Sequence, residues 1–167
     1  MIQLGTAGEH IVCADVILSG RIAFMASAGL AFDVVIDDRG RLIRVAVKSV
    51  SRATQRPSRE SYRVCYQFAV TRPRRLHNGK TDARPYLPEH VDIVALCALD
   101  IRRVAYCHLS ECAQSMHFDP EGEAAPKNNR GLVPGRPRKT FDAYTLDRAL
   151  AVHRGEIAPF PFKWRAA

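Results

Sequence analysis

The stretch Phe32 to Val50, FDVVIDDRGRLIRVAVKSV, decides the fold, because it predicts two β-strands joined by a tight turn. Successive side chains of a strand alternate between its two faces. Apolar residues take alternate positions of the second strand: Ile43, Val45 and Val47. Gly40 supplies the positive φ that a tight hairpin turn requires. The stretch therefore predicts a β-hairpin with one apolar face.

Two charged residues lie at the open end of this hairpin. Asp33 starts the first strand, and Lys48 lies near the end of the second. If the loop runs from Asp38 to Arg41, Asp33 lies opposite Ala46 and one diagonal step from Lys48. The pattern thus predicts a carboxylate and an ammonium group close together.

Composition limits the chain to one domain and favours a polyanionic partner. Its 167 residues and 47% hydrophobic content suffice for one core. Lysine and arginine total 25 against 17 acidic residues, a net charge of +8. Such an excess of positive charge favours nucleic acid over a membrane as the binding partner. The alternative is a basic protein without a polyanionic partner. Arginine outnumbers lysine, which suits bidentate contacts to phosphate.

The cysteines and the apolar runs indicate a reducing compartment. Five cysteines are an odd number, and three of them lie within apolar runs, where a free cysteine behaves as a small hydrophobe. The sequence has no signal-peptide pattern and no apolar run near the roughly 20 residues of a membrane span. We expect an intracellular, cytoplasmic protein without a membrane partner.

A helix is predicted from Leu4 to Gly20, with Gly20 as its C-cap. Thr6 and Glu9 have the spacing of a capping box. Glu9 therefore has two interpretations, as a helix cap or as a catalytic carboxylate.

Further strands are predicted at three segments: Tyr62 to Val70, Val91 to Leu99 and Arg103 to Leu109. The basic segments between strands are predicted to be loops: Ser51 to Ser61 and Thr71 to Pro88. Val91 to Leu99 is nearly all apolar, as a central strand buried on both faces would be. Since turns rather than helices join most strands, we expect an α+β fold, with a mixed sheet and the first helix on one face.

The C-terminal part changes in composition. Asp119 to Thr140 is rich in proline, glycine and charge, and is predicted to be a loop or partly disordered. Helical spacing resumes from Phe141 to Arg154, with Asp142 as a possible N-cap. We expect a core over residues 1–118, with residues 119–167 forming a basic segment and a C-terminal helix packed on that core.

Glu9, Asp33 and Lys48, with Asp92 behind them, form the strongest candidate site. Phosphodiester cleavage uses carboxylates to hold a divalent metal ion, and a nearby lysine can orient water or bind the phosphate. These residue types on a helix and two strands predict that chemistry.

Four segments resemble the PD-(D/E)xK nuclease superfamily: GTAGEHIVCADVILSG, FDVVIDDRG, LIRVAVKS and RPYLPEHVDIVALCALDIRRVAY. The similarity is closest to the branch of archaeal Holliday-junction resolvases and certain cyanobacterial group I intron homing endonucleases. In that branch a helix carries G-x-x-x-E, a strand carries Asp, and the next carries E-x-K or Q-x-K. The matching positions here are Glu9, Asp33 and the triplet Ala46-Val47-Lys48, followed by Asp92 at the start of a later strand.

The resemblance implies a restriction-endonuclease-like central mixed β-sheet flanked by helices. It also implies DNA cleavage dependent on Mg²⁺ or Mn²⁺ and a homodimer or higher homo-oligomer. Asp33 would be the principal metal ligand, with Glu9 as the second or an outer ligand. Lys48 would orient the attacking water and neutralise the phosphate.

Ala46 departs from the family pattern, because a methyl group cannot bind a metal ion. Three outcomes stay open. In the first, the ion is held by Asp33, Glu9 and the carbonyl of Val47, helped by Gln67 or Asp92. In the second, the protein binds DNA but cleaves it poorly. In the third, the fold serves as an inactive DNA-binding or regulatory module.

Two basic sets are candidates for DNA contacts. Five arginines would contact the phosphate backbone: Arg52, Arg56, Arg59, Arg74 and Arg75. The second set lies in the pentapeptide GRPRK: Arg136, Arg138 and Lys139. This pentapeptide resembles the core of an AT-hook, which inserts arginine into the minor groove, and an ordinary basic linker is the alternative.

Four soft ligands lie close together in sequence: Cys107, His108, Cys112 and His117. Their spacing fits no common structural zinc site. Core cysteines with surface histidines are one interpretation, and a small zinc-stabilised adaptor is the other.

Overall fold

The computed structural model describes residues 2–57, 62–75, 81–120 and 139–160. The predicted hairpin is present as β2 (Val34–Asp38) and β3 (Arg41–Val50). Its two-residue turn has positive φ at both positions, 58° at Arg39 and 83° at Gly40, as a type I′ turn requires.

The predicted register of this hairpin is confirmed. Asp38 pairs with Arg41 and Val34 pairs with Val45. Continued by one residue, this register sets Asp33 opposite Ala46. The apolar alternation and the glycine at the turn therefore suffice to define the register.

The remaining elements extend the hairpin into a mixed α+β fold. They are α1 (Ile2–Leu18), β1 (Ile22–Met25), β4 (Thr54–Pro57), β5 (Tyr62–Ala69), β6 (Arg72–Arg75), β7 (Thr81–Arg84), β8 (Ile93–Ala98), β9 (Arg103–His108), β10 (Ser115–Phe118) and α2 (Leu146–His153). Two 3₁₀ helices cover Leu109–Glu111 and Phe141–Ala143.

A five-stranded sheet in the order β1-β2-β3-β8-β9 forms the centre of the molecule. β3 and β8 are parallel, and the other neighbours are antiparallel. All six residues of β8 are buried, as predicted for a central strand. A three-stranded sheet, β10-β5-β4, and a two-stranded sheet, β6-β7, complete the strands of the described segments.

Each face of the central sheet carries its own apolar cluster. Val45 and Val47 of β3 belong to the cluster that also contains side chains of α1 and α2. Ala46, on the opposite face, belongs to the cluster that contains Phe68 of β5 and Phe118 of β10. β3 is therefore enclosed by helices on one side and by the smaller sheet on the other.

The boundaries of α1 correct one sequence prediction. The helix already includes residue 2, so Thr6 lies in its interior and the predicted capping box with Glu9 is wrong. Gly20 does end the helix, with φ 83°. The amide of Gly20 bonds to the Ile17 carbonyl and that of Arg21 to the Val16 carbonyl, which is the Schellman pattern.

Several strands lie where loops were predicted. β4 lies within Ser51 to Ser61, the β6-β7 hairpin lies within Thr71 to Pro88, and β10 had no prediction. β4, β6 and β7 lack apolar alternation, and each is a strand because it pairs with a neighbour. β10 does alternate, with Met116 and Phe118 buried, but it is only four residues long.

The C-terminal helix is shorter than predicted. α2 begins at Leu146, and the hydroxyl of Thr145 caps it by accepting a hydrogen bond from the amide of Arg148, over 3.3 Å. Asp142 is therefore not the N-cap and lies in the preceding 3₁₀ helix. Leu150 packs in the first apolar cluster and Tyr144 in the second. In the described segments no helix is long and apolar enough to cross a membrane.

Candidate active site

Glu9 is brought to the central sheet by the glycine that precedes it. A Cβ atom built on Gly8 would overlap Oγ of Ser49 and lie 2.9 Å from its Cβ. Only a residue without a side chain permits this close approach of α1 to β3. Glu9 follows at the rim of the contact and is half-buried.

Asp33 lies immediately before β2, where that strand separates from β3. Its amide donates to the carbonyl of Val45 over 2.9 Å, and its carbonyl accepts from the amide of Ala26 over 2.9 Å. Its Oδ2 accepts a hydrogen bond from the amide of Val47 over 2.7 Å. The main chain on both sides thus fixes the position of this carboxylate.

The two carboxylates influence each other electrostatically. Burial raises the pKa of Asp33, partly offset by the Val47 hydrogen bond and by the charge of Lys48. Burial also raises the pKa of Glu9, and the charge of Asp33 raises it further, while His10 acts in the opposite direction. The charges of Glu9 and Asp33 are therefore within electrostatic range of each other.

Lys48 approaches the same point from β3. Burial lowers the pKa of its ammonium group, and Asp33 counteracts this effect. The Nζ atom lies 5.2 Å from the ring centroid of Tyr86, within the range of a cation–π interaction. Glu9 and Lys48 thus each lie within electrostatic range of Asp33.

Tyr86 belongs to this site, although the sequence prediction did not include it. Burial and the charge of Asp33 raise the pKa of its phenol, whereas Arg72 lowers it. Both Asp33 and Arg72 therefore lie near the ring. The only sequence signal was its position within the segment RPYLPEHVDIVAL, which otherwise has the features of a loop.

Asp92 serves a different purpose from the one suggested by the sequence. Its carboxylate binds Arg44 through the backbone amide at 2.8 Å, Nε at 2.9 Å and Nη2 at 2.7 Å. These hydrogen bonds and the charge of Arg44 lower the pKa of Asp92, against the effect of burial. Asp92 thus joins β8 to β3 and is not available as an additional metal ligand.

Gln67 also lies away from the site. Its exposed side chain alternates with Tyr66 and Phe68, which belong to the same apolar cluster as Ala46. It therefore projects from the opposite face of β5. Ala46 itself is completely buried in that cluster, so its position contributes packing and no ligand.

The oxygen donors at this point fit a hard divalent cation. Within the described ranges no group of three or more His, Cys, Asp or Glu side chains could hold a metal ion. The oxygen atoms that the sequence prediction named as ligands are the Glu9 and Asp33 carboxylates and the backbone carbonyl of Val47, which points to the same strand edge as its amide. Mg²⁺ accepts one or two carboxylates and retains several waters. A cation would also offset the repulsion between the two carboxylates.

The predicted DNA-contacting residues are placed only in part. Arg52 is exposed beyond β3. Arg56 belongs to β4, and Arg74 and Arg75 belong to β6. Lys139 is half-buried, with Nζ 3.8 Å from the sulfur of Met116, so it is more enclosed than a linker residue would be. Three residues lie outside the described ranges: Arg59, Arg136 and Arg138.

The cysteine–histidine group does not form a metal site in the described segments. Cys107 is completely buried in the second apolar cluster. The thiol of Cys112 donates to the carbonyl of His108 over 3.6 Å, and His117 lies on β10 beside Ser115. All five cysteines are buried and none forms a disulfide, which agrees with the interpretation as small core residues.

Comparison with solved structures relates this fold to a bacterial homing endonuclease, I-Ssp6803I. The TM-score is 0.61 at 14% sequence identity, and the match covers 93% of this chain and 95% of that chain. At this identity the similarity concerns the fold, and it agrees with the expected central mixed sheet flanked by helices. No protein-family model matches the sequence, and no curated protein matches it.

Proposed function

We propose that this protein is a metal-dependent DNA endonuclease of the homing-endonuclease or junction-resolvase type. The observation that carries the proposal is the convergence of Glu9, Asp33 and Lys48 where β2 separates from β3. Phosphodiester hydrolysis requires oxygen ligands for a divalent ion and a cation near the phosphate. The endonuclease fold of the chain supports the same conclusion.

Asp33 and Glu9, with the carbonyl of Val47, would hold Mg²⁺ or Mn²⁺. When bound, such an ion activates water and stabilises negative charge at phosphorus. Asp33 is oriented for this role by the Val47 amide, which occupies one carboxylate oxygen and leaves Oδ1 for a ligand. The second carboxylate comes from α1, held against β3 by the contact of Gly8 with Ser49.

Lys48 would bind the scissile phosphate and orient the attacking water through its ammonium protons. The Tyr86 ring restricts the ammonium group and stabilises its charged form. Arg72 is exposed beside Tyr86 and would contact a flanking phosphate, together with Arg52. In this proposal the carboxylates bind the metal ion, and the lysine and arginine side chains bind the DNA backbone.

The net charge of +8 supports DNA as the partner. We further propose a homodimer or higher homo-oligomer, because a duplex offers two strands to cut and one such site acts on one phosphodiester. The buried cysteines, none of which forms a disulfide, support a reducing compartment.

The alternative function is a DNA-binding or regulatory module without efficient catalysis. The observation in its favour is Ala46. Its buried methyl group occupies the position at which the nucleases that this sequence resembles carry a Glu or Gln. The Val47 amide would then serve only as a hydrogen-bond donor to the half-buried Asp33 carboxylate.

The two functions are separated by incubation with linear, supercoiled and four-way-junction DNA, in the presence of Mg²⁺, Mn²⁺ or EDTA. An endonuclease nicks DNA only with metal, and Asp33→Asn and Lys48→Ala abolish nicking while gel shifts persist. DNA retained in a gel shift without cleavage under any metal condition would favour the binding module.

A further inference from the structure

The outer surface of α1 carries an apolar stripe of five residues. It consists of Leu4, Ala7, Ile11, Ala14 and Leu18. The alternating spacing of three and four residues keeps them on one side of a helix, as in the seam between packed helices. We name this set the α1 stripe.

Most of the α1 stripe lies off the face that packs on the sheet. Val12 and Val16 make that contact and are fully buried, and Ile11 of the stripe packs against the edge of the same apolar cluster. Leu18 is instead 87% exposed and Leu4 is 50% exposed, while Ala7 and Ala14 are exposed and Ile11 is half-buried. A single exposed leucine needs no explanation, but an aligned apolar row on one helix indicates an interface.

The charge distribution identifies what can cover this stripe. The chain carries 25 lysines and arginines, yet α1 contains none and includes Glu9 and Asp15. DNA and anionic membranes are attracted by cations, so neither suits this surface. Two copies of a +8 chain repel each other least where no cation lies between them.

The order of side chains also suits contact with a second copy. From either end the stripe runs large, small, large, small, large, so it is self-complementary under a two-fold rotation. The alanines permit the helices to approach, and the larger residues fill the spaces between them. Ile11, in the middle, would meet its own counterpart.

We propose that the α1 stripe is the contact by which two copies of this chain form a two-fold dimer, through packing of α1 on α1. The proposal deepens the oligomer expected above but does not depend on nuclease activity. Because Glu9 lies on the same helix, each dimer would hold both catalytic helices in place through one interface.

The test measures oligomeric state with single substitutions on exposed positions. The full chain should have twice its 18.6 kDa mass by sedimentation or light scattering at micromolar concentration. Leu18→Lys should raise the dimer dissociation constant at least about tenfold. Ile17→Lys is the matched control, because Ile17 is 52% exposed on the same helix but lies to one side of the stripe.

A second arm tests the geometry directly. Ile11→Cys should give a disulfide-linked dimer on mild oxidation, whereas Ile17→Cys should not, and the native cysteines are buried. A monomeric wild-type chain, equal dimerisation of Leu18→Lys and wild type, or cross-linking through position 17 in place of 11 would each overturn the proposal. DNA cleavage by a monomer would overturn the interface and leave the proposed function intact.

Discussion

The backbone amide of Val47 donates a hydrogen bond to Oδ2 of Asp33 over 2.7 Å. The main chain of β3, rather than the side chain at position 46, therefore positions this carboxylate. An alanine at position 46 consequently leaves this hydrogen bond to Asp33 intact. Asp33 is therefore held in place without a polar side chain at position 46.

The ionised Asp33 carboxylate should reduce the stability of the folded protein at neutral pH. Its pKa is raised in the folded state, so the folded chain binds the proton more tightly than the unfolded chain does. Protonated Asp33 therefore adds to the free energy of unfolding at low pH. This contribution is lost as the pH rises from 3.8 through the pKa of Asp33 in the folded state. Asp33→Asn should therefore raise the melting temperature at pH 7 while abolishing cleavage. A variant that melts below wild type at pH 7 would contradict this assignment.

The contact of Gly8 with Ser49 should control both stability and activity. Gly8→Ala should cost about 1–3 kcal/mol by overpacking and should reduce cleavage, because α1 carries Glu9 away from Asp33. Gly5→Ala is the matched control, since nothing lies within 4 Å of that position. It should instead stabilise the helix by up to about 1 kcal/mol.

Removal of the Ser49 side chain tests the same contact from the side of β3. Ser49→Gly, combined with Gly8→Ala, should restore part of the lost stability and activity, as measured by denaturant unfolding and plasmid nicking. Additive losses in the double variant would show that the two residues do not interact.

Tyr86 should act on Lys48 through its ring. Tyr86→Leu should lower the pKa of Lys48 and reduce cleavage about fivefold, the equivalent of a cation–π interaction of about 1 kcal/mol. Tyr86→Phe keeps the ring and should leave both values close to wild type. The measurements are an NMR titration of the lysine side chain and the pH dependence of the cleavage rate. Equal effects of the leucine and phenylalanine variants would assign the role to the hydroxyl group instead.

Asp92 should contribute to stability rather than to metal binding. Asp92→Ala leaves the half-buried Arg44 guanidinium without its carboxylate, which should cost about 3 kcal/mol. The affinity for Mn²⁺ and the cleavage rate per folded molecule should stay within about twofold of wild type. A large loss of Mn²⁺ affinity in folded protein would return Asp92 to the list of ligands.

The sequence was informative where a local pattern determines the structure. Alternation on β3 and the glycine at the turn define the hairpin and bring Asp33 near Lys48. The apolar run of β8 likewise identifies a central strand. Gly20 marks the end of α1 because a left-handed residue is needed there.

The features that the sequence did not predict depend on distant partners. Asp92 has the pattern of a site carboxylate until its pairing with Arg44, on a strand brought alongside by the fold, is known. Tyr86 lies in a proline-containing loop and reaches Lys48 only through the tertiary structure. Short polar strands such as β6 and β7 are stabilised by each other and have no apolar periodicity of their own.

The most direct test of the proposed site is a crystal grown with Mn²⁺ and examined for anomalous scattering. The proposed site predicts an ion within about 2.0–2.6 Å of an Asp33 carboxylate oxygen, with Glu9 and the Val47 carbonyl as further ligands. The Asp33→Asn variant, grown under the same conditions, should lack that ion. An ion bound elsewhere in a protein that cleaves DNA, with Asp33 and Glu9 not coordinating it, would contradict the proposal.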